Sequence, residues 1–297
     1  MFTSSTRTSI FSIETVAHSQ KQQRFFRLLL GFLFSSTVGL LAYHRRSLSR
    51  SGVAGAIVTG TGTVGMGGWS WGLTLIFFFV SSSFFSHFRA REKEVTAEDK
   101  FSKGSQRDFL QVMANGGIAT ALALGSACTS ERTLQRTLRA GYVGALATAT
   151  ADTWATELGV LSPHAPRLIT TGKQTVPGTS GGITLLGTAA SAAGSLALGA
   201  FFWLLQRKHK ENAALPLIAL ISGLSGSLFD SFLGATVQAM YFCPVCQKET
   251  ERQIHNCGNK TQHVRGLSWL NNDAVNFLST LFGAVTAMPL ALLNLWR

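Results

Sequence analysis

The chain has 297 residues, of which 46% are hydrophobic and only 13% are charged, and its formal net charge is +12. Soluble domains contain about 25% charged residues, so this composition excludes an ordinary soluble domain. The positive charge does not indicate nucleic-acid binding, because the basic residues stand in short loops beside apolar segments. Anionic lipid headgroups and phosphorylated ligands are the expected partners there.

Apolar segments follow one another along most of the chain, each near the ~20 residues that cross a ~30 Å bilayer core. Because lipid requires backbone groups to pair within a segment, we predict an all-α, polytopic integral membrane helix bundle with seven or eight spans. The second segment is the weakest, since it is short and rich in Gly and Thr. The segments are 25–43, 51–67, 69–88, 109–128, 138–160, 181–205, 215–241 and 273–295.

Residues 1–24 are rich in Ser and Thr and contain one acid, Glu14. This pattern is typical of a targeting segment and equally of a disordered tail. The remainder, 25–297, is predicted to form one integral membrane domain with a small cysteine-rich knuckle inserted at 242–262. The protein is therefore expected in a cell membrane or an organelle membrane, with its orientation open.

Acidic residues within the apolar segments are the first sign of function. An Asp at the centre of a span costs about 2.5–3.5 kcal/mol, so water, a basic partner or a cation must compensate. Carboxylates suit Mg²⁺, and we predict a magnesium site at Asp152, Asp230 and Asp273. Glu157 is a fourth catalytic candidate, although it lies about 140° around the helix from Asp152 and is expected near Arg167. Simple pairing with water or a loop cation remains open for these acids.

The loop 166–182 before the sixth predicted span is rich in glycine. Such a turn before a helix can present free N–H groups to an anion, although a capped helix start without a ligand remains open. Thr179 or Ser180 is expected to cap the helix. The predicted phosphate-binding residues are Arg167, Lys173, Gly178, Thr179, Ser180, Gly181, Gly182 and Asn272.

Three of the four cysteines stand close together in the knuckle. Two cysteines separated by two residues and followed by a His/Cys pair predict a structural, four-ligand zinc site. His263 is a substitute ligand, and a dithiol or disulfide, or inert thiols, remain open. Cys128, at the end of a span, is predicted to be packed. The predicted zinc ligands are Cys243, Cys246, His255 and Cys257.

Five segments together resemble the transmembrane protein 19 family of integral membrane proteins, which includes phytyl-phosphate kinases. They are "ATADTWATELG", "PRLITTGK", "PGTSGGIT", "GSLFDSFLGATVQ" and "NNDAVN". The resemblance runs from about residue 51 to the C-terminus. It implies an enzyme that converts an isoprenoid monophosphate to its diphosphate with CTP or ATP as the donor.

The residues fit a magnesium-dependent phosphate transfer, which depends mainly on positioning and electrostatics. The isoprenoid tail is then expected among the apolar spans, along the phenylalanine-rich third segment. Two other functions stay open: a transporter or ion-coupled permease that uses the intramembrane carboxylates, and a non-catalytic scaffold. The phenylalanines concerned are Phe77, Phe78, Phe79, Phe84 and Phe85.

Overall fold

The computed structural model describes the backbone of residues 5–97, 106–208 and 212–293, and the side chains of 22–93, 106–208 and 212–293. Nine α-helices lie in these ranges, and a π-helical turn, Thr63–Gly67, extends the second. The helices are α1 (Ser5–His44), α2 (Arg50–Gly62), α3 (Trp69–His87), α4 (Ala90–Ala97), α5 (Phe109–Ala127), α6 (Arg132–Gly159), α7 (Leu185–Leu205), α8 (Leu215–Thr236) and α9 (Asn272–Leu292).

Six helical segments in the described ranges are long and apolar enough to cross a membrane: Gln22–His44 of α1, and α3, α5, α7, α8 and α9. The two other predicted spans are also helical, as α2 with its π-helical turn and as α6. The chain is therefore a multi-pass membrane helix bundle, as predicted. Residues 1–4 of the tail 1–24 lie outside the described range, and the backbone of residues 5–24 forms the first part of α1. The targeting role of the tail stays a prediction.

Helix α6 runs through the centre of the bundle, in contact with α3, α5, α7, α8 and α9. Every residue from 140 to 151 is buried. Small residues allow the close approach, because a Cβ on Gly144 would lie 2.5 Å from the carbonyl oxygen of Gly283 in α9. A Cβ on Gly226 of α8 would lie 2.3 Å from the hydroxyl of Thr148. Such packing is the usual basis of helix association in membranes.

The contacts of α6 also give the direction of its neighbours. Gly141 and Gly144 meet Met288 and Gly283 in turn, so α9 is antiparallel to α6. Helix α8 is parallel to α6, since Ala147 and Thr148 meet Gly223 and Gly226. The bundle therefore has two ends. We call the one that holds the C-termini of α6 and α8 the acidic end, and the opposite one, with the N-terminus of α6, the basic end.

Five short strands lie at the acidic end: β1 (Arg167–Leu168), β2 (Gly182–Ile183), β3 (Met240–Cys243), β4 (Lys248–Thr250) and β5 (Gln262–Arg265). Strands β1 and β2 pair as an antiparallel hairpin. The other three form an antiparallel sheet in the order β4–β3–β5, which is the predicted knuckle, slightly longer than expected. The amide of Leu267 donates to the carbonyl of Val237 at 2.8 Å, so the knuckle is joined to the end of α8.

Candidate active site

Two of the predicted acids, Asp152 and Asp230, face each other inside the bundle. They lie on the parallel helices α6 and α8, and each is about 10 Å from the C-terminal end of its helix. Their charges interact, and Ser279 of α9 lies beside the carboxyl group of Asp230. The buried Oδ2 of Asp230 has no hydrogen-bond partner in the part of the chain that the structure describes. An orphaned carboxylate oxygen next to a second carboxylate fits a cation site.

A third acid, Glu251, comes from the knuckle and was not predicted. Its charge acts on both Asp152 and Asp230. Its Oε1 accepts hydrogen bonds from the Ser180 hydroxyl at 2.7 Å and from the Gln238 side chain at 2.8 Å. No sequence pattern marks Glu251, because an acid in a polar loop carries no desolvation cost. Only the packing of the knuckle against α8 brings Glu251 to the intramembrane pair.

Asp273 occupies the first turn of α9 and is 8% exposed. It lies six residues before Ser279, which corresponds to about 9 Å along the helix. A carboxylate in the first turn is stabilised by the helix dipole, which offsets part of the cost of burying its charge. The helix is capped by Asn271, whose side chain accepts from the amide of Ala274 at 3.0 Å, while the predicted Asn272 is half-buried behind it.

Glu157 has a different environment from the other acids. It forms an ion pair with Lys93 at 2.5 Å, and Arg107 acts on it electrostatically. Arg167, which was expected near Glu157, is exposed and donates to the carbonyl of Gly172 at 2.8 Å, so the cation paired with Glu157 is Lys93. Lys93 lies on α4, and the turn between α3 and α4 directs this helix back towards α6 at the acidic end. Glu157 is thus compensated by protein cations, and its predicted catalytic role receives no support from its contacts.

Replacing Lys93 by Met is expected to destabilise the protein. Lys93 also donates to the carbonyls of Phe85 and Ser86, and its side chain is only 8% exposed. Breaking a fully buried pair costs 3–5 kcal/mol, and we expect up to about 3 kcal/mol here because Glu157 is partly exposed. Thermal unfolding in detergent measures the loss. Adding Glu157→Gln should restore part of it, whereas a variant as stable as the parent would contradict a structural role for the pair.

The predicted phosphate-binding loop is divided into two parts. Arg167 and Lys173 are exposed in the β1–β2 hairpin, where the carbonyl of Lys173 accepts from the amide of Leu168 at 2.9 Å. The cap of α7 is Thr184, whose hydroxyl accepts from Gly187 at 3.0 Å. The prediction that Thr179 or Ser180 caps this helix was therefore wrong. Because the glycines stand before the cap, they are not part of the N-terminal turn of α7.

The glycine-rich part, 178–182, lies against the C-terminal end of α8. Gly178 and Gly181 have positive φ values of 78° and 82°, as expected for a tight turn. The amides of Thr179 and Gly182 donate to carbonyls within the loop at 3.1 and 2.9 Å, so these two are not available to an anion. The loop instead places the hydroxyl of Ser180 on Glu251.

Gly181→Ala is expected to detach this loop from α8. A Cβ at Gly181 would lie 2.4 Å from the Cβ of Ala235, which is a clash. The left-handed backbone would cost about 1–3 kcal/mol in addition for a residue with a side chain. Gly172→Ala is the matched control, because Gly172 has a φ of 68° but no atom within 4 Å of an added Cβ. Unfolding temperatures of both variants should show the larger loss at Gly181. Equal losses would mean that backbone strain alone matters.

The four predicted zinc ligands lie together in the knuckle. Their ligand atoms are all within 4.8 Å of one another. The two sulfurs of Cys243 and Cys257 are 3.7 Å apart, and the Nδ1 of His255 is 3.2 Å from the sulfur of Cys257. A Zn–S bond of about 2.3 Å in a tetrahedron gives sulfur–sulfur distances near 3.8 Å, so the cluster has the dimensions of a structural zinc site. The fourth member is Cys246.

The structure also bears on the predictions made for His263 and Cys128. His263 does not belong to the cluster; it lies on β5 and packs against Tyr241 with ring centroids 5.5 Å apart. Cys128, expected to be packed, is exposed at the end of α5. In the cluster, hydrogen bonds from Asn259 and His255 lower the pKa of Cys257 to about 6. A thiolate, the form that binds metal, is therefore available near neutral pH.

Comparison with known proteins places most of the bundle in one family. The integral membrane protein DUF92 family matches residues 33–284. The chain belongs to the DUF92 family. This match includes every candidate acid, the glycine-rich loop and the knuckle, and leaves out the tail. The resemblance predicted from the five segments is thereby confirmed.

Three similar proteins show how far the similarity extends. Protein PGR of Arabidopsis thaliana is 35% identical over 278 residues, covering 86% of this chain and 93% of that protein. The uncharacterized membrane protein MJ0933 of Methanocaldococcus jannaschii is 28% identical, covering 87% and 92%. The chloroplastic protein VTE6 of Arabidopsis thaliana is 26% identical, covering 81% and 64%. No solved structure gives a significant match.

Proposed function

We propose that the protein is a membrane-embedded phosphotransferase that converts an isoprenoid monophosphate, such as phytyl phosphate, to its diphosphate with CTP or ATP. The observation that carries this proposal is the pair of facing carboxylates, Asp152 and Asp230, within the acidic end of the bundle. The similarity to VTE6 and the resemblance to a family that includes phytyl-phosphate kinases support it. The chloroplastic name of VTE6 favours an organelle membrane for this chain as well.

The first requirement of this reaction is a cation. Asp152, Asp230 and Glu251 would hold Mg²⁺. Asp273, about 9 Å along α9 from Ser279, is left out of this ligand set. Carboxylate oxygens are the ligands that Mg²⁺ prefers, and the metal would neutralise charge on the nucleotide phosphates. Gln238 and Ser180 orient Glu251 through their hydrogen bonds. The acceptor phosphate is already anionic near neutral pH, so no strong base is needed.

The second requirement is a place for the apolar tail. An apolar groove runs between α1, α2, α3 and α5, with Leu75, Ile76 and Val112 among its lining residues. Arg107 lies at this groove with its guanidinium 5.7 Å from the ring centroids of both Phe78 and Phe79. It also acts electrostatically on Glu157 at the acidic end. The groove holds only about 60 Å³ as it stands, so an isoprenoid chain would have to part the helices to enter it, and its phosphate would then lie near the Arg107 cation.

The other three phenylalanines of this segment do not line the groove. Phe77 stacks on Phe201 at 4.8 Å, and Phe85 packs edge-on against Trp154 at 4.7 Å. Phe84 is 61% exposed. Of the five predicted phenylalanines, we therefore assign only Phe78 and Phe79 to the tail site.

The test is a direct assay of the purified chain in detergent. Phytyl or geranylgeranyl monophosphate is incubated with Mg²⁺ and CTP or ATP labelled in the terminal phosphate, and the diphosphate is separated and counted. We expect labelled diphosphate in the presence of Mg²⁺ and none after chelation. Absence of transfer with either nucleotide, together with ion-driven uptake into proteoliposomes, would favour a transporter instead.

A further inference from the structure

A large cavity opens at the basic end, on the side of the bundle away from the carboxylates. Its volume is about 690 Å³, and it lies between the N-terminal part of the first span, the start of α3, the α5–α6 loop and the end of α7. Along α6, Arg139 in this cavity is thirteen residues from Asp152, or about 20 Å. The cavity is therefore separate from the proposed catalytic centre.

The charge of the cavity has one sign. Among the described residues that line it, none is acidic and five are basic. Positive side chains in such a concave site attract anions, and the volume is in the range of ordinary ligand pockets. The basic residues are Arg24, Arg27, Arg139, Arg207 and Lys208.

A chain of hydrogen bonds fixes the inner part of this cavity. The Nη1 of Arg139 donates to Asn212 at 2.8 Å, and the amide of Asn212 donates to Gln206 at 3.0 Å. Gln206 in turn donates to the hydroxyl of Ser70 at 2.9 Å. Asn212 is only 1% exposed. The guanidinium is thus held in place by groups from three other parts of the bundle, as expected of a built binding site.

The rim of the cavity combines cations with apolar side chains. Leu204 and Leu205 line it and are 53% and 40% exposed. On the neighbouring helix α1, Phe25 and Phe26 are 65% and 62% exposed beside Arg24. This combination is typical of a site at the membrane surface, where a charged headgroup enters a basic pocket and its acyl chains stay in lipid.

We propose that this cavity binds the phosphate headgroup of an anionic membrane lipid. The inference is independent of the proposed function, because it concerns the other end of the bundle and a different set of residues. The lipid bound there would not be the substrate, and the site would make the basic end selective for one chemical class of lipid. A soluble phosphate has the same recognition chemistry, so the experiment includes both sources.

The experiment measures binding to the purified full chain in a neutral detergent. The probes are dihexanoyl phosphatidic acid, dihexanoyl phosphatidylcholine and inorganic pyrophosphate. We expect saturable binding of phosphatidic acid only. The double variant Arg207→Gln/Lys208→Gln should weaken it by about 30-fold. Both residues are exposed, so the protein should still fold, which thermal unfolding verifies.

The matched control is Arg45→Gln/Arg46→Gln, which removes the same charge from exposed positions at the acidic end. Unchanged affinity in this control supports the cavity as the site. Equal binding of phosphatidic acid and phosphatidylcholine, or an equal loss in both double variants, would overturn the proposal. Pyrophosphate that binds as tightly as phosphatidic acid would overturn the assignment to a lipid.

Discussion

Asp230→Asn is expected to reduce magnesium-dependent phosphate transfer by about 100- to 1,000-fold, the range for loss of one well-placed electrostatic group. The amide keeps the shape of the side chain but removes the charge that would hold the cation between α6 and α8. Stability should change in the opposite direction. Without Mg²⁺ the variant should be at least as stable as the parent, because the cost of burying the carboxylate and its repulsion from Asp152 are both removed. Transfer rates and unfolding temperatures with and without Mg²⁺ measure both effects.

The control for this variant is Glu92→Gln, which removes an exposed acid that pairs with Arg89 at the same end of the bundle. It should leave both the rate and the stabilisation by Mg²⁺ unchanged. If Asp230→Asn retained full stabilisation by Mg²⁺, the cation would not lie between Asp152 and Asp230. If it retained full transfer activity, the assignment of the catalytic centre would be refuted.

Cys243→Ser is expected to remove a bound zinc ion and to unfold the sheet β4–β3–β5. Cys243 is fully buried, and its sulfur is one of the four ligand atoms. Structural zinc contributes about 10–16 kcal/mol in small zinc-binding units, far more than a three-stranded sheet of this size can replace. Because Glu251 belongs to the same unit, phosphate transfer should fall with the metal. Metal analysis of the purified protein and the transfer assay measure the two losses.

Cys128→Ser is the matched control for the zinc variant, since Cys128 is exposed at the end of α5 and outside the cluster. Its zinc content and activity should equal those of the parent. Zinc should also be lost when the pH is lowered far enough, because protons compete with the metal for the thiolates and the imidazole. Cys243→Ser protein that keeps a full complement of zinc would show that the metal is bound elsewhere or not by this cluster.

Most of the fold followed from short-range patterns in the sequence. The spans follow from the length of apolar segments, and the cysteine–histidine cluster follows from the spacing of Cys243 and Cys246 with a later His/Cys pair. Both signals are local, so one chain without relatives is enough to find them. The intramembrane acids were also found, because a carboxylate in an apolar segment is costly wherever its partner lies.

The missed features depend on contacts between distant segments. Glu251 reaches the acids only because the knuckle packs on α8, and Lys93 reaches Glu157 only because the loop after α3 turns back towards α6. Neither residue stands in a segment where its charge is unusual. Thr184 was missed for a local reason: strand β2 follows the glycine-rich loop, so the next helix begins later than the apolar pattern indicated.

The composition of α6 has a consequence for how the protein enters the membrane. Its centre consists largely of Ala, Gly and Thr, and it is not among the six helices apolar enough to span a membrane by length and composition. During synthesis such a segment would partition poorly into lipid when it emerges from the ribosome by itself. Stable insertion would then require the later helices α7 or α9, which pack against α6, to be present at the translocon at the same time. The helix that carries Asp152 would therefore enter the bilayer only after later helices have been synthesised. Truncation of the chain after α6 would leave this helix outside the bilayer.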